Sequence, residues 1–183
     1  MRVVAGKAKG VTLKTPAGML TRPTADRVKE AMFSIVQFDL PGAAVLDLFG
    51  GTGQLGIEAL SRGAASAVFV DLRDDACKLI KENVKRAGFE KEVSVIRSDY
   101  LAYLKRCDCK FDIILLDPPY AEEFLENSLK MIAEIDILKT SGIIIAERPV
   151  GKEFLPELMG FDRSKDYKYG STLVTIFRKS EEK

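Results

Sequence analysis

The 183 residues, 46% of them hydrophobic, suffice for one domain with a sizeable core and a small appendage; no apolar run is long enough to span a bilayer and the start carries no signal-peptide pattern, so the expected compartment is the cytoplasm. Cys77, Cys107 and Cys109 show no framework spacing and histidine is absent, which argues against a disulfide scaffold or a metal centre and removes imidazole from any chemistry. The net charge of +1 hides an asymmetry: residues 1–30 carry seven basic and two acidic side chains, a local +5 that suits a polyanion, against −4 for the remainder.

In chain order, residues 2–5 and 11–14 read as two short strands around the turn 6–10. A loop with Pro16, Gly18 and Pro23 follows, and Thr24 is placed to cap a helix. In that helix Val28, Met32, Ile35 and Val36 form an apolar stripe suited to packing, with Arg22, Arg27 and Lys29 on or near the exposed side. Pro41-Gly42 ends this segment, which gives an extension over 1–40 and a main domain over 41–183. From there the pattern alternates. Strands are expected at 43–49, 66–70, 93–96, 111–116 and 142–147, and helices at 55–62, 74–87, 101–106, 122–135 and 153–159. Strands this apolar, separated by helices, imply a mostly parallel, doubly wound α/β sheet covered on both faces. The last two strands, 163–169 and 172–178, flank Gly170 and read as an antiparallel terminal hairpin.

Two constellations carry the chemistry. Between the first strand and its helix, Gly51-x-Gly53-x-x-Gly56 matches a dinucleotide fingerprint, with Asp71 twenty residues on at the end of the second strand. Asp47, just before the glycines, would repel a pyrophosphate, so a cofactor with a cationic amino-acid end and an adenosine fits better than a dinucleotide. S-adenosylmethionine has both ends: Asp47 can meet its ammonium directly or through water, Asp71 its ribose hydroxyls, and Asp99 its adenine amino group. Each aspartate can also be an ordinary helix cap or turn residue. The second constellation is Asp117-Pro118-Pro119-Tyr120, directly after an apolar strand. Its prolines make a stiff turn with free carbonyls, its carboxylate accepts hydrogen bonds, and its ring stacks, a set suited to a flat, amino-bearing base. The rival readings are a nicotinamide-dependent oxidoreductase and a non-enzymatic RNA-binding assembly factor.

Val4-Ala5-Gly6 with Lys9-Gly10, Arg22-Pro23-Thr24 with Asp26-Arg27-Val28-Lys29-Glu30, the run Asp47 to Gly53, Glu58 to Ala64, the Asp-Pro-Pro-Tyr turn and Tyr169-Gly170 together resemble the RsmD family of class I S-adenosylmethionine-dependent methyltransferases. The resemblance implies a Rossmann-like class I methyltransferase sheet preceded by a small β-hairpin and helix. It implies methylation of guanine N2 in 16S ribosomal RNA, of the guanine(966)-N2 type, by a monomer acting on the small ribosomal subunit, without metal or membrane and with S-adenosylhomocysteine as coproduct. An adenine-N6 methyltransferase acting on DNA or RNA is the alternative. Carried onto this chain, the catalytic residues are Asp117, Pro118, Pro119 and Tyr120. The cofactor residues are Asp47, Phe49, Gly50, Gly51, Thr52, Gly53, Asp71, Leu72, Ser98, Asp99 and Tyr100. The RNA-binding residues are Arg2, Lys7, Lys9, Lys14, Arg22, Thr24, Arg27 and Lys29.

Overall fold

The structure, a computed structural model, describes residues 1–16, 23–119, 122–151 and 158–180. Arg22 and Tyr120, the side chain of Thr24 and most of the helix expected at 153–159 lie outside the described residues. The elements run α1 (Pro23–Ile35), β1 (Ala44–Asp47), α2 (Gln54–Ser61), β2 (Ser66–Asp71), α3 (Asp74–Ala87), β3 (Val93–Arg97), α4 (Tyr100–Leu104), β4 (Phe111–Leu116) and α5 (Glu122–Ile135). β5 (Leu138–Pro149), β6 (Phe161–Arg163), β7 (Tyr167–Tyr169) and β8 (Thr172–Lys179) complete them. One sheet takes them in the order β3-β2-β1-β4-β5-β8-β6, with β7 also pairing β8. The first five strands are parallel, and β8 is antiparallel to β5, β6 and β7. This is the mixed, mostly parallel α/β sheet with an antiparallel C-terminal edge that the sequence implies.

The apolar strands bury both faces because successive side chains point opposite ways. On one face Val45, Ile113, Leu115, Ile143, Ile145 and Val174 pack with Met32, Phe33 and Val36 from α1 and its C-terminal turn. On the other, Leu46, Ile114, Leu116, Ile144, Ala146 and Phe177 pack with Leu125, Leu129 and Ile132 of α5. Burial of each such side chain contributes about 1.5–3 kcal/mol. α3 forms where Asp74 and Asp75 meet the positive end of the helix dipole and Lys85 and Arg86 the negative end; Gly88, with φ 78°, stops it. No helix among the described residues is long and apolar enough to cross a membrane.

The N-terminal segment keeps the expected hairpin in a reduced form. An antiparallel bridge joins Arg2 and Thr12, flanked by Val3 N–H on the Val11 carbonyl and Leu13 N–H on the Met1 carbonyl, each at 3.0 Å. Helix α2 supplies further partners: Glu58 accepts the N–H groups of Val4 and Ala5 at 2.8 and 3.0 Å, and Ser61 those of Lys7 through its carbonyl and Ala8 through its hydroxyl. Gly6 fits this contact because its φ is +80° and a Cβ there would stand 1.8 Å from the Ser61 carbonyl oxygen. Val3, Ala8 and Leu13 join the same core as α1. α1 itself begins at Pro23, so Thr24 lies inside its first turn rather than capping it.

The C-terminal hairpin is also modified. The expected strand 163–169 divides into β6 and β7, both on β8. Between them, Ser164 Oγ accepts the Ile176 N–H, and the Asp166 carboxylate accepts the Thr175 hydroxyl and pairs with Arg148. These inward-turned side chains interrupt the ladder.

Candidate active site

Asp71 and Asp47 end β2 and β1, Asp117 directly follows β4, and Glu147 lies two residues before the end of β5; the four strands are parallel neighbours. In register, Asp47 lies beside Phe69 on one side and Leu115 on the other, and Leu116 lies beside Ala146. Two residues back from the four carboxylates stand Phe69, Val45, Leu115 and Ile145, all in the core on the α1 face, so the acids line that face at the carboxyl edge of the sheet. Chain order reverses between β1 and β4, which makes this edge the switch-point crevice where open α/β sheets bind ligands.

Asp47 is buried, with Oδ2 accepting the N–H of Gly56 in the first turn of α2 at 3.0 Å. Burial first, then Asp117 and Asp71, push its carboxyl up to about 7, against the hydrogen bond from Gly56. Gly56 leaves room for close contact: a Cβ there would fall 2.3 Å from the Phe69 ring, so α2 could not lie so near the sheet. Asp71 bonds the glycine loop from the next strand, taking Gly51 N–H on Oδ2 and Arg73 N–H on Oδ1, each at 2.9 Å. Asp99 caps α4 by accepting from Ala102 N at 3.0 Å. All three upstream aspartates therefore hold backbone, whatever else they bind.

Asp117 is half-buried, and burial pushes its carboxyl up to about 6. Pro118 is half-buried and Pro119 exposed; Tyr120 lies outside the described residues. Of the other expected cofactor residues, Gly50 donates to Val70 O at 2.8 Å and Thr52 Oγ1 to Met1 Sδ at 3.4 Å, while Gly53 is the N-cap of α2 with φ 79°. Leu72 is 63% exposed beside Asp71, an apolar surface open to a ligand. Ser98 donates to the Asp99 carbonyl. Tyr100 is buried and packs at a tilt against Phe49 and Phe124, ring centroids 5.3 and 5.4 Å away, as part of the core.

The basic residues separate into two groups. Lys7, Lys9 and Arg27 are exposed. Arg2 and Lys14 are also reachable but paired, with Asp26 at 3.4 Å and Glu82 at 2.6 Å. Lys29 corrects the sequence reading: it is 2% exposed, with Nζ on the Arg2 carbonyl at 2.6 Å and near Glu58 at 3.4 Å, so it cannot face RNA.

Three residues of this region escape a reading of the sequence. Glu147 looks like the polar end of an apolar strand; the available signal is that this strand runs parallel to the one carrying Asp117. Glu58 anchors the N-terminal segment. Asn83, wholly buried on α3, exchanges two hydrogen bonds with the backbone of Lys14 and donates a third to the Thr52 carbonyl at 2.8 Å.

The family described as "Conserved hypothetical protein 95" matches residues 1–178. A Bacillus subtilis protein named "Putative rRNA methyltransferase YlbH" is 41% identical over 183 residues, covering 98% of this chain and 99% of its own. The Haemophilus influenzae "Ribosomal RNA small subunit methyltransferase D" is 32% identical over 158 residues, 85% of this chain and 82% of its own. Among solved structures, "Putative methyltransferase yhhF" from Escherichia coli superposes with a TM-score of 0.89 over 98% of both chains at 23% identity, which speaks to the fold.

Proposed function

This chain belongs to the RsmD family, and on that footing we propose that it transfers a methyl group from S-adenosylmethionine to the exocyclic N2 of a guanine in small-subunit ribosomal RNA. One observation carries the cofactor choice. The N-terminus of α2, where a dinucleotide fold receives a pyrophosphate, is already occupied by the carboxylate of Asp47. A second carboxylate, Asp71, holds the glycine loop. This acidic setting disfavours a diphosphate and suits a ligand that is cationic at its amino-acid end and carries ribose hydroxyls. The residues present fit S-adenosylmethionine: Asp47 toward the ammonium, Asp71 toward the ribose, Leu72 and Asp99 toward the adenine. When bound, it supplies a methyl group made electrophilic by a sulfonium.

The chain does the rest by position and charge. Guanine N2 is a weak nucleophile because its lone pair is delocalised into the ring. Asp117 and the Pro118 carbonyl can accept its two N–H groups, turning the lone pair out of conjugation and along the line of transfer. Such positioning is worth several kcal/mol, up to about 10 in the best cases. As the N–C bond forms, positive charge grows on nitrogen and the neighbouring carboxylate stabilises it. The nitrogen then loses a proton. Asp117, with its carboxyl raised to about 6, is basic enough to receive that proton on its way to solvent. Tyr120 supplies a stacking ring in this reading, and the base must be unpaired or flipped to reach it.

Residues 1–40 act as the RNA-facing extension, through Lys7, Lys9 and Arg27 with Arg22, and residues 41–183 as the catalytic domain. The protein works as a cytoplasmic monomer on the assembling small subunit. Labelled methyl transfer to unmodified small subunits, naked ribosomal RNA and DNA, followed by nucleoside identification, tests this. N2-methylguanosine from the ribosomal substrates supports it; N6-methyladenosine from any of them overturns it.

A further inference from the structure

The turn at Asp117 offers acceptors for one amino group, and both guanine and adenine carry one. What differs is the neighbouring ring nitrogen: guanine N1 bears a hydrogen and adenine N1 a lone pair. A site that selects guanine therefore needs a second acceptor beside the first.

Glu147 stands in that position. Its strand is the parallel neighbour of the one that ends at Asp117, with Leu116 beside Ala146, so the two carboxylates leave adjacent strands at the same level. Ile145, two residues back, packs on the α1 face with Leu115, which puts Glu147 and Asp117 on one side of the sheet. Glu147 is half-buried, and among the described residues no hydrogen bond or ion pair engages it. Its other neighbour in the sheet is Val174, an apolar residue that offers it no partner. Burial, then Asp117, push its carboxyl up to about 8. A half-buried carboxylate held beside another without a donor is costly in the protein alone. The free protein avoids that cost by holding the proton on Glu147; a ligand edge carrying adjacent N–H groups favours the ionised carboxylate, and the proton leaves to solvent on binding.

We propose that Glu147 is a specificity-determining residue whose carboxylate accepts the N1–H of the target guanine while Asp117 and the Pro118 carbonyl hold its N2 amino group. This rests on the guanine-N2 reading of the turn. Guanine then presents a row of donors to a row of acceptors, whereas adenine would set the N1 lone pair against an anion. Hydrogen-bonded sites of this kind reject an analogue lacking the donor because their own buried acceptor is left unmatched.

The test uses small subunits whose target nucleotide is guanine or 2-aminopurine, which keeps the 2-amino group and lacks the N1 hydrogen. Wild-type protein should methylate guanine faster than 2-aminopurine by about 10- to 100-fold in kcat/KM. Glu147→Ala and Glu147→Gln should lose most of that factor on guanine and change little on 2-aminopurine, with S-adenosylhomocysteine binding kept as a check on folding. The wild-type comparison needs no variant, so it decides even where the substitutions fold poorly. Guanine methylation without discrimination against 2-aminopurine overturns the Glu147 assignment alone. No N2-methylguanosine from any RNA overturns the guanine reading, and the Glu147 assignment with it.

Discussion

The ammonium of Lys29 on α1 lies 3.4 Å from the carboxylate of Glu58 on α2, and both groups are almost wholly out of solvent. Glu58 also accepts from the backbone of Val4 and Ala5 and from Arg62 Nε at 2.8 Å. Burial draws the Lys29 ammonium below its ordinary value, and Glu58 opposes that shift. Removing Glu58 leaves the buried Lys29 ammonium without its nearest carboxylate and strands the N–H groups of Val4 and Ala5. Glu58→Ala should cost about 3–5 kcal/mol, read as a lower midpoint in urea unfolding.

Asp117→Asn keeps the shape of the turn but removes the carboxylate. Methyl transfer should fall by about 10²–10³-fold in single-turnover measurements. Calorimetric affinity for S-adenosylmethionine should stay within a few fold, since the proposed role of this residue is to hold the base. An equal loss of cofactor affinity would overturn its assignment.

Asp117, Asp47 and Glu147, raised to about 6, about 7 and about 8, hold protons in the native state that the unfolded chain has already released. Stability linked to these groups is fully present below the ordinary carboxylate range and is lost as pH rises through about 6 to about 8. The ligand-free protein should therefore show a falling urea midpoint between about pH 5 and about pH 8. Asp47→Asn keeps an acceptor for Gly56 N–H and should flatten that fall.

The exposed cations give a separate prediction. Replacing Lys7, Lys9 and Arg27 with Ala should weaken RNA binding and reduce the slope of log K against log salt by about one unit per residue. Titrations at several salt concentrations read this directly, and an unchanged slope removes these residues from the RNA interface.

Local pattern made much of this molecule legible. Helices 74–87 and 122–135 and strand 111–116 were readable to the residue, because their apolar pattern is clear and, for 74–87, charged ends and Gly88 agree with it. The carboxylates after β1, β2 and β4 were readable because strand ends in such sheets converge. What could not be read depends on partners distant in sequence. Lys29 looks like a surface cation until Glu58 is folded against it, and nothing local in residues 4–8 shows that α2 accepts their backbone N–H groups. Glu147 carried no local sign because its meaning comes from the strand beside it.

Asn83 touches both halves of the proposed reaction. Its side chain bonds the backbone of Lys14 in the basic segment and the carbonyl of Thr52 in the glycine loop. A ligand that shifts either backbone must strain or relax the same amide. Any coupling through this junction is reciprocal: the factor by which bound cofactor alters RNA affinity equals the factor by which RNA alters cofactor affinity. The order in which the two ligands arrive leaves the stability of the final complex unchanged, and the buried amide bears on how large the coupling between them is.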